Sequence, residues 1–201
     1  YSGATAARSI ASLPAAARRV ILLGPSHRVR FAGAALPDPS VAAFASPTGA
    51  VALDLDVVRA LRRAPAFRGP AAAHDGEHCL EVQLPLLQAR MPQATLVPIL
   101  VGVDTDAEEA AAIARSVASH LDAGTVVVVS SDFTHHGAAY GYQPFAVDGA
   151  LPGRLLTLGR LTADRLAALD GAGFRQQVEV SGDTVCGVRP LVVLAEVLEH
   201  A

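Results

Sequence analysis

An α/β fold is what this chain predicts, on three observations. Short apolar runs recur at Val20-Ile21-Leu22-Leu23, within 94–101, and at Val126-Val127-Val128-Val129. Turn formers close them: Gly24-Pro25-Ser26-His27 follows the first, Gly102 the second and Ser130-Ser131-Asp132 the third. Runs of this length and ending read as buried strands. Between them lie stretches with apolar residues at helical spacing, and strands alternating with helices give the layers of an α/β domain.

The elements follow in order. Residues 4–17 are alanine-rich and predict a helix interrupted at Pro14. Residues 18–23 form the first strand. Residues 24–49 are rich in Pro, Ser and Gly and read as a loop; at that length it is either functional or hides strands. Residues 54–63 predict a short helix with Leu55, Val58 and Leu61 on one face. Residues 81–90 predict a helix that buries Val82, Leu86 and Ala89 and kinks or starts near Pro85. Pro98 inside the second strand, 94–101, points to an edge or bulge position. Residues 106–121 predict a helix whose acidic first turn suits the helix dipole. After the third strand, 125–129, comes a loop over 130–145 dense in His, Gly and Tyr. Helices are expected over 147–158 and 162–169, a break at 170–173, no assignment for 174–180, and a last helix over 185–199. No internal repeat and no linker appears, so one domain is expected over 1–201.

Composition narrows the function. Of 201 residues 51% are apolar, enough for a substantial core, and a net charge of −3 gives no electrostatic reason to bind nucleic acid or a membrane surface. All sixteen basic residues are arginine, which removes Schiff-base chemistry and a Walker phosphate loop, since both need lysine. Two cysteines, Cys79 and Cys186, make neither a disulfide framework nor a zinc cluster, so the expected setting is reducing and cytoplasmic. No apolar stretch is long enough to span a bilayer, and no charged-then-apolar leader is evident.

Chemistry concentrates where apolar runs break into histidine loops. In an open α/β sheet, ligands bind beyond the carboxyl ends of strands. Two strands would deliver His27, Asp132 and His135 to one rim, and the loop His74-Asp75-Gly76-Glu77-His78 carries similar groups. His27 reads as a metal ligand or an acid/base group, or else as a turn histidine that caps a helix. An aspartate three residues before His135 can set an imidazole tautomer, so Asp132 is expected to orient His135; helix capping by Ser131 or Asp132 is the alternative. His74 and His78 are four apart, but Gly76 between them opposes a helical zinc site, and His74 and Asp75 read as solvated. His78 opens the apolar run Leu80, Val82, Leu84, which makes a solvated position less favoured for it than for His74. Cys186 between Val185 and Gly187 reads as a core thiol. No G-x-S-x-G elbow supports Ser26 or Ser131 as a nucleophile, and no G-x-G-x-x-G follows a strand.

Taken together, Gly24-Pro25-Ser26-His27, Glu77-His78-Cys79-Leu80-Glu81, Leu84-Pro85, Pro98-Ile99-Leu100-Val101-Gly102, Ser130-Ser131-Asp132-Phe133-Thr134-His135 and Cys186-Gly187 resemble the Memo family, whose bacterial branch is called AmmeMemoRadiSam system protein B. Their order and spacing match over nearly the whole chain. The resemblance implies a three-layer α/β/α sandwich around a central mixed sheet, similar to class III extradiol dioxygenases. It also implies a non-haem metal pocket holding iron or copper through two histidines and a cysteine, with redox or O₂-linked chemistry. On the motif match His27 is the metal ligand found within this chain, with Arg28 where a second histidine often follows. The other histidine is placed upstream of Tyr1, where Tyr1-Ser2-Gly3 resembles the tail of a Pro-His-Ala-Gly-Tyr motif, and the cysteine beyond Ala201. The chain has no initiator methionine and ends directly after a helical pattern, so both ends are expected to be cut. His135, Asp132 and His78 are then the catalytic candidates, and Glu81 and Ser26 are expected to line the cofactor pocket. The expected partner is a small molecule or peptide. The rival functions are a non-catalytic binding module on the same fold and a metal-dependent hydrolase.

Overall fold

Residues 2–200 are described by a computed structural model; the reading of Tyr1 as a motif tail lies outside them. Three strands, β1 (Arg19–Pro25), β5 (Thr95–Val101) and β6 (Thr125–Val129), run parallel, with β1 paired to β5 on one side and β6 on the other. A two-residue strand, β2 (Ala34–Ala35), adds antiparallel to β5, giving a mixed sheet of order β2-β5-β1-β6. Residues 24–49 therefore did hide strands: β2, and β3 (Ala43–Ser46), which pairs with β4 (Gly49–Ala52) in a separate hairpin.

The pleat of β1 makes the layers. Ile21 and Leu23 face one side, Val20 and Leu22 the other, and all four are buried. On the first side they meet α2 (Leu55–Leu61), α4 (Ala107–Ala118), α6 (Gly171–Ser181) and α7 (Val188–Glu199). On the second they meet α1 (Gly3–Ala11), α3 (Leu84–Arg90) and β4. The sheet is thus sandwiched between helical layers, as the resemblance implies. Strands buried on both faces are apolar at every position, which is why they were legible.

Pro98 sits in the middle of β5 without loss of pairing. Leu96 turns its carbonyl outward to Asp54 N (2.9 Å), so Pro98, two residues on, also faces away from β1, and its missing N–H breaks no bond of that ladder.

The elements depart from expectation in several places. The helix over 84–90 starts at Pro85 within its first turn, after a 3-10 turn at Glu81–Gln83, and its buried face is Leu84 and Leu87, whereas Val82 is 56% exposed and Ala89 is also exposed. Residues 151–167 form one unbroken helix, α5 (Leu151–Ala167), where a break after Leu158 was expected. The unassigned stretch 174–180 is helical, because Asp170 caps α6 by accepting from Gly173 N at 2.7 Å. The first helix also ends at Ala11, short of Pro14.

The acidic start of α4 is a full capping box: the Asp106 side chain accepts from Glu109 N (2.9 Å) and the Glu109 side chain from Asp106 N (3.0 Å). Asp106→Ala is expected to lower stability by about 1 kcal/mol, read by urea denaturation, with no change in the secondary structure seen by circular dichroism. Among the described residues no helix is long and apolar enough to cross a membrane.

Candidate functional site

The rim at the carboxyl ends of β1 and β6 holds two groups of side chains. In the first, the chain leaves β1 and turns at Ser26, whose N–H donates to Val101 O (3.1 Å) and whose hydroxyl donates to Val29 O (2.8 Å). Ser26 is buried and its proton is committed to the turn, so it shapes the loop that presents His27. Ser131 likewise donates its hydroxyl to Asp132 O, and neither serine is bonded to a histidine.

His27 is fixed by Glu77. Its N–H donates to Glu77 Oε2 (2.7 Å) and its ring Nδ1 lies 3.0 Å from Glu77 Oε1. The carboxylate only accepts, so Nδ1 carries the hydrogen and Nε2 keeps its lone pair. Glu77 itself is reached through a tight turn at Gly76 (φ +68°) and its side chain is 2% exposed. Oε1 also accepts from His78 N (2.9 Å) and Cys79 N (3.2 Å). Burial by itself pushes this carboxyl up, but the bonds from His27, Cys79 and His78 outweigh it and hold it at about 2.

His78 stands beside His27 with the rings stacked, centroids 5.0 Å apart and planes 28° from parallel. Its Nδ1 is 3.2 Å from the same Glu77 oxygen. Among the described residues His27, Glu77 and His78 are grouped so that one donor atom from each lies within 4.8 Å of the others. Cys79 is buried behind them and donates to Pro25 O at 3.2 Å; burial first, and then the Glu77 charge, push its thiol far up, so it is no nucleophile. His74 is not solvated as expected. Its Nε2 lies 3.2 Å from Ala35 O, its ring meets Phe44 edge-on at 6.1 Å, and burial lowers its pKa. Glu81 is exposed and borders an open cleft of about 380 Å³ together with Glu77, His74, Asp75, Phe44 and Leu80.

The second group follows β6. Residues 131–135 are laced to 183–187, the turn before α7. Asp132 N donates to Cys186 Sγ (3.2 Å), Cys186 N to Asp132 O (3.3 Å), Gly187 N to Ser131 Oγ (3.0 Å), and Thr134 Oγ1 to the buried Asp183 (3.1 Å). Thr184 grips His135 at both backbone groups: its Oγ1 accepts from His135 N (2.7 Å) and donates to His135 O (2.9 Å). The His135 Nδ1–H donates to Thr184 O at 2.7 Å. The tautomer is therefore set by a backbone carbonyl and not by Asp132, whose Oδ2 lies 3.8 Å from Nε2, beyond hydrogen-bond reach. Cys186 is half-exposed at this rim, where a core thiol was expected.

The two groups are neighbours. Ser130 N donates to Leu23 O (2.8 Å), and Gln83, two residues past Glu81, donates to Ser130 Oγ (2.9 Å). The rim thus offers two imidazole Nε2 atoms on separate loops, a buried carboxylate and a thiol. Glu77, Thr184 and Cys186 were not among the expected site residues; the signal for Glu77 was its place inside the Glu77-His78-Cys79-Leu80-Glu81 motif.

The whole chain, residues 1–201, matches the model of the family described as Memo-like protein. The chain belongs to the Memo-like family. Among its relatives is the Protein memo-1 homolog of Caenorhabditis elegans, 27% identical over all of this chain and 58% of that protein. A MEMO1 family protein of Methanopyrus kandleri is 33% identical over 85% of this chain and 56% of its own length. Protein MEMO1 of Homo sapiens is 27% identical over 96% of this chain and 67% of its own. This Memo-like chain therefore spans little more than half the length of the first two relatives. His27, Glu77, His78, Asp132 and His135 all lie in segments by which the sequence resembled the family, and the fold brings those segments to one edge of the sheet.

Proposed function

We propose that this Memo-like domain holds a non-haem metal ion, iron or copper, through His27 and supports redox or O₂-linked chemistry at the β1–β6 rim. The observation that carries the reading is the Glu77–His27 pair. A buried carboxylate that takes the Nδ1–H of an imidazole and leaves Nε2 free is the arrangement by which histidine ligands are oriented toward metals. The donor chemistry fits, since imidazole suits iron and copper and a thiol such as Cys186 on the same rim favours the softer states of either. When bound, such an ion supplies one-electron chemistry with O₂.

The chain's own residues then divide the work. His135, held through Nδ1 by Thr184 O, presents Nε2 as the atom that takes or gives a proton. The Asp132 carboxylate stands 3.8 Å from that Nε2, on the side where the proton would pass. Glu81 and the apolar wall of Phe44 and Leu80 line the cleft in which a small molecule or peptide segment would lie. His27→Ala is expected to lower the iron and copper content of the purified protein about tenfold or more, measured by elemental analysis. Unchanged metal content would remove the ligand assignment.

A second reading, a binding module without turnover, is favoured by one fact: the cleft reaches Glu77 and Glu81 but is lined by neither His27 nor His135. Oxygen uptake by metal-loaded protein with catechol-like reductants separates the two. Steady consumption supports the redox reading; ligand protection without consumption supports the binding module.

A further inference from the structure

We infer that Tyr140 is a positioning residue for His135: the loop over 137–142 lays the tyrosine ring against the imidazole and shields it at the rim. The inference rests on the reading of His135 as the group that moves a proton, and it adds a residue outside the motifs that carry that reading.

The stretch Gly137-Ala138-Ala139-Tyr140-Gly141-Tyr142 sets two glycines around a short reversal. Their φ angles, +127° and +65°, are ones that residues with a side chain seldom adopt, so both turns depend on glycine. The loop closes on itself. Gly137 N donates to Tyr142 O (2.8 Å), Tyr140 N to Gly137 O (3.0 Å) and Gly141 N to Ala138 O (3.1 Å). The two tyrosines then take different tasks. Tyr142 is half-buried and donates its hydroxyl to Ser181 O (3.1 Å), which fastens the loop to the end of α6. Tyr140 brings its ring to His135, with centroids 5.0 Å apart and planes inclined by 50°, inside the range of aromatic pairing.

Two observations separate this contact from ordinary packing. Tyr140 is 59% exposed, so the core gains little from its apolar surface. A methyl built at Gly137 or Gly141 would meet nothing within 4 Å, so the loop is not wedged against the body at either turn. His135 has a use for a second hold. Thr184 grips its backbone and takes the Nδ1–H at 2.7 Å, a single bond about which the ring can still tip. A contact on the ring itself removes that freedom, and Tyr140 supplies it. With the tyrosine against it, the His135 side chain is 26% exposed. The Tyr140 hydroxyl bonds to no described residue, so the ring makes the contact and phenylalanine should serve as well.

The test uses the full chain without added metal. Diethylpyrocarbonate acylates unprotonated imidazole nitrogens, and peptide mass spectrometry gives the rate at each histidine. With Nδ1 of His135 engaged by Thr184 O, Nε2 is the atom that reacts. At a pH where the imidazoles are unprotonated, Tyr140→Ala is expected to raise the His135 rate about fivefold, the population change that losing one aromatic pair produces, and to leave the exposed His78 unchanged. Tyr140→Phe should match the wild type. In proton NMR spectra the carbon-bound ring protons of His135 should carry a ring-current shift that vanishes in Tyr140→Ala and persists in Tyr140→Phe. An unchanged His135 rate in Tyr140→Ala overturns the inference, and so does a rate that rises equally at His78, which reports general loosening. Tyr140→Phe behaving like Tyr140→Ala overturns the role of the ring. Tyr140→Ala should keep the wild-type urea midpoint because Tyr140 is exposed. If that variant fails to fold, the wild type decides: nuclear Overhauser contacts between the two rings support the pairing, and their absence overturns it. The proton role fails separately. Oxygen uptake by metal-loaded protein that survives His135→Ala removes that role and leaves the Tyr140–His135 contact standing.

Discussion

Replacing Glu77 with alanine is expected to destabilise the protein by about 3 kcal/mol at pH 7, the largest effect of any single side chain at the rim. Two routes lead to that size. The carboxylate accepts from His27 N, His27 Nδ1, His78 N and Cys79 N; its removal strands the buried Cys79 N at about 1–3 kcal/mol, while the other three donors are part-buried and regain water. Separately, the folded carboxyl is held at about 2 against an ordinary 4.5; burial opposes that shift and the four donors overcome it. At about 1.4 kcal/mol per pH unit of displacement, the shift is again worth roughly 3 kcal/mol. The sign follows from linkage. A carboxyl depressed on folding stabilises the native state fully above pH 4.5, and that contribution disappears as the pH falls toward 2. Urea denaturation of wild type and Glu77→Ala at pH 7 and at pH 3 measures it: the gap between the two proteins should narrow on acidification. A gap that stays constant with pH would show that Glu77 acts by packing alone.

That a polar loop should hold the strongest anchor explains what sequence reading found and missed. Strands were legible because Ile21 and Leu23 on one side and Val20 and Leu22 on the other are all buried, so the pattern needs no knowledge of the neighbours. The face of α3 was misread because Val82 belongs to a preceding 3-10 turn; a change of helical pitch moves the apolar stripe, and periodicity counted across the join points the wrong way. The continuity of α5 was hidden by Gly159, yet nothing ends the helix there: the buried Thr162 hydroxyl bonds back to Leu158 O, and the chain turns only at Leu169, with φ 58°. At the site, motif position gave His27, His78, Asp132 and His135, which the fold gathers on one rim. What set their orientation was illegible for one reason. Glu77 meets His27 across fifty residues and Thr184 meets His135 across forty-nine, and such partners leave no local trace in spacing. Asp132 was the nearest candidate in sequence for His135, and a carbonyl far along the chain took the bond.

Gly102→Ala should be among the most damaging changes outside the site, with a loss at the upper end of about 1–3 kcal/mol. The second prediction rests on backbone meeting backbone. A methyl at Gly102 would lie 2.0 Å from Phe31 O and 2.7 Å from Phe31 C, where no rotamer change can make room. The approach is close because Gly102 N donates to Gly33 O (2.9 Å), and the buried Thr105 clamps both glycines by donating to Gly102 O (2.7 Å) and accepting from Gly33 N (3.1 Å). This clamp ties residues 31–33 to the end of β5, next to Val101, whose carbonyl holds Ser26 N. Forcing the strands apart there displaces the loop that carries His27, so metal content should fall together with stability. Gly153→Ala makes the contrast. It lies in α5 with open space around its Cβ position, and alanine there should be neutral or add up to about 1 kcal/mol. Denaturation midpoints of the two variants check both signs at once. If Gly102→Ala proved as stable as Gly153→Ala, Gly102 would be no more than the end of an apolar run, and the closeness of β5 to the His27 loop would not be what holds the rim in place.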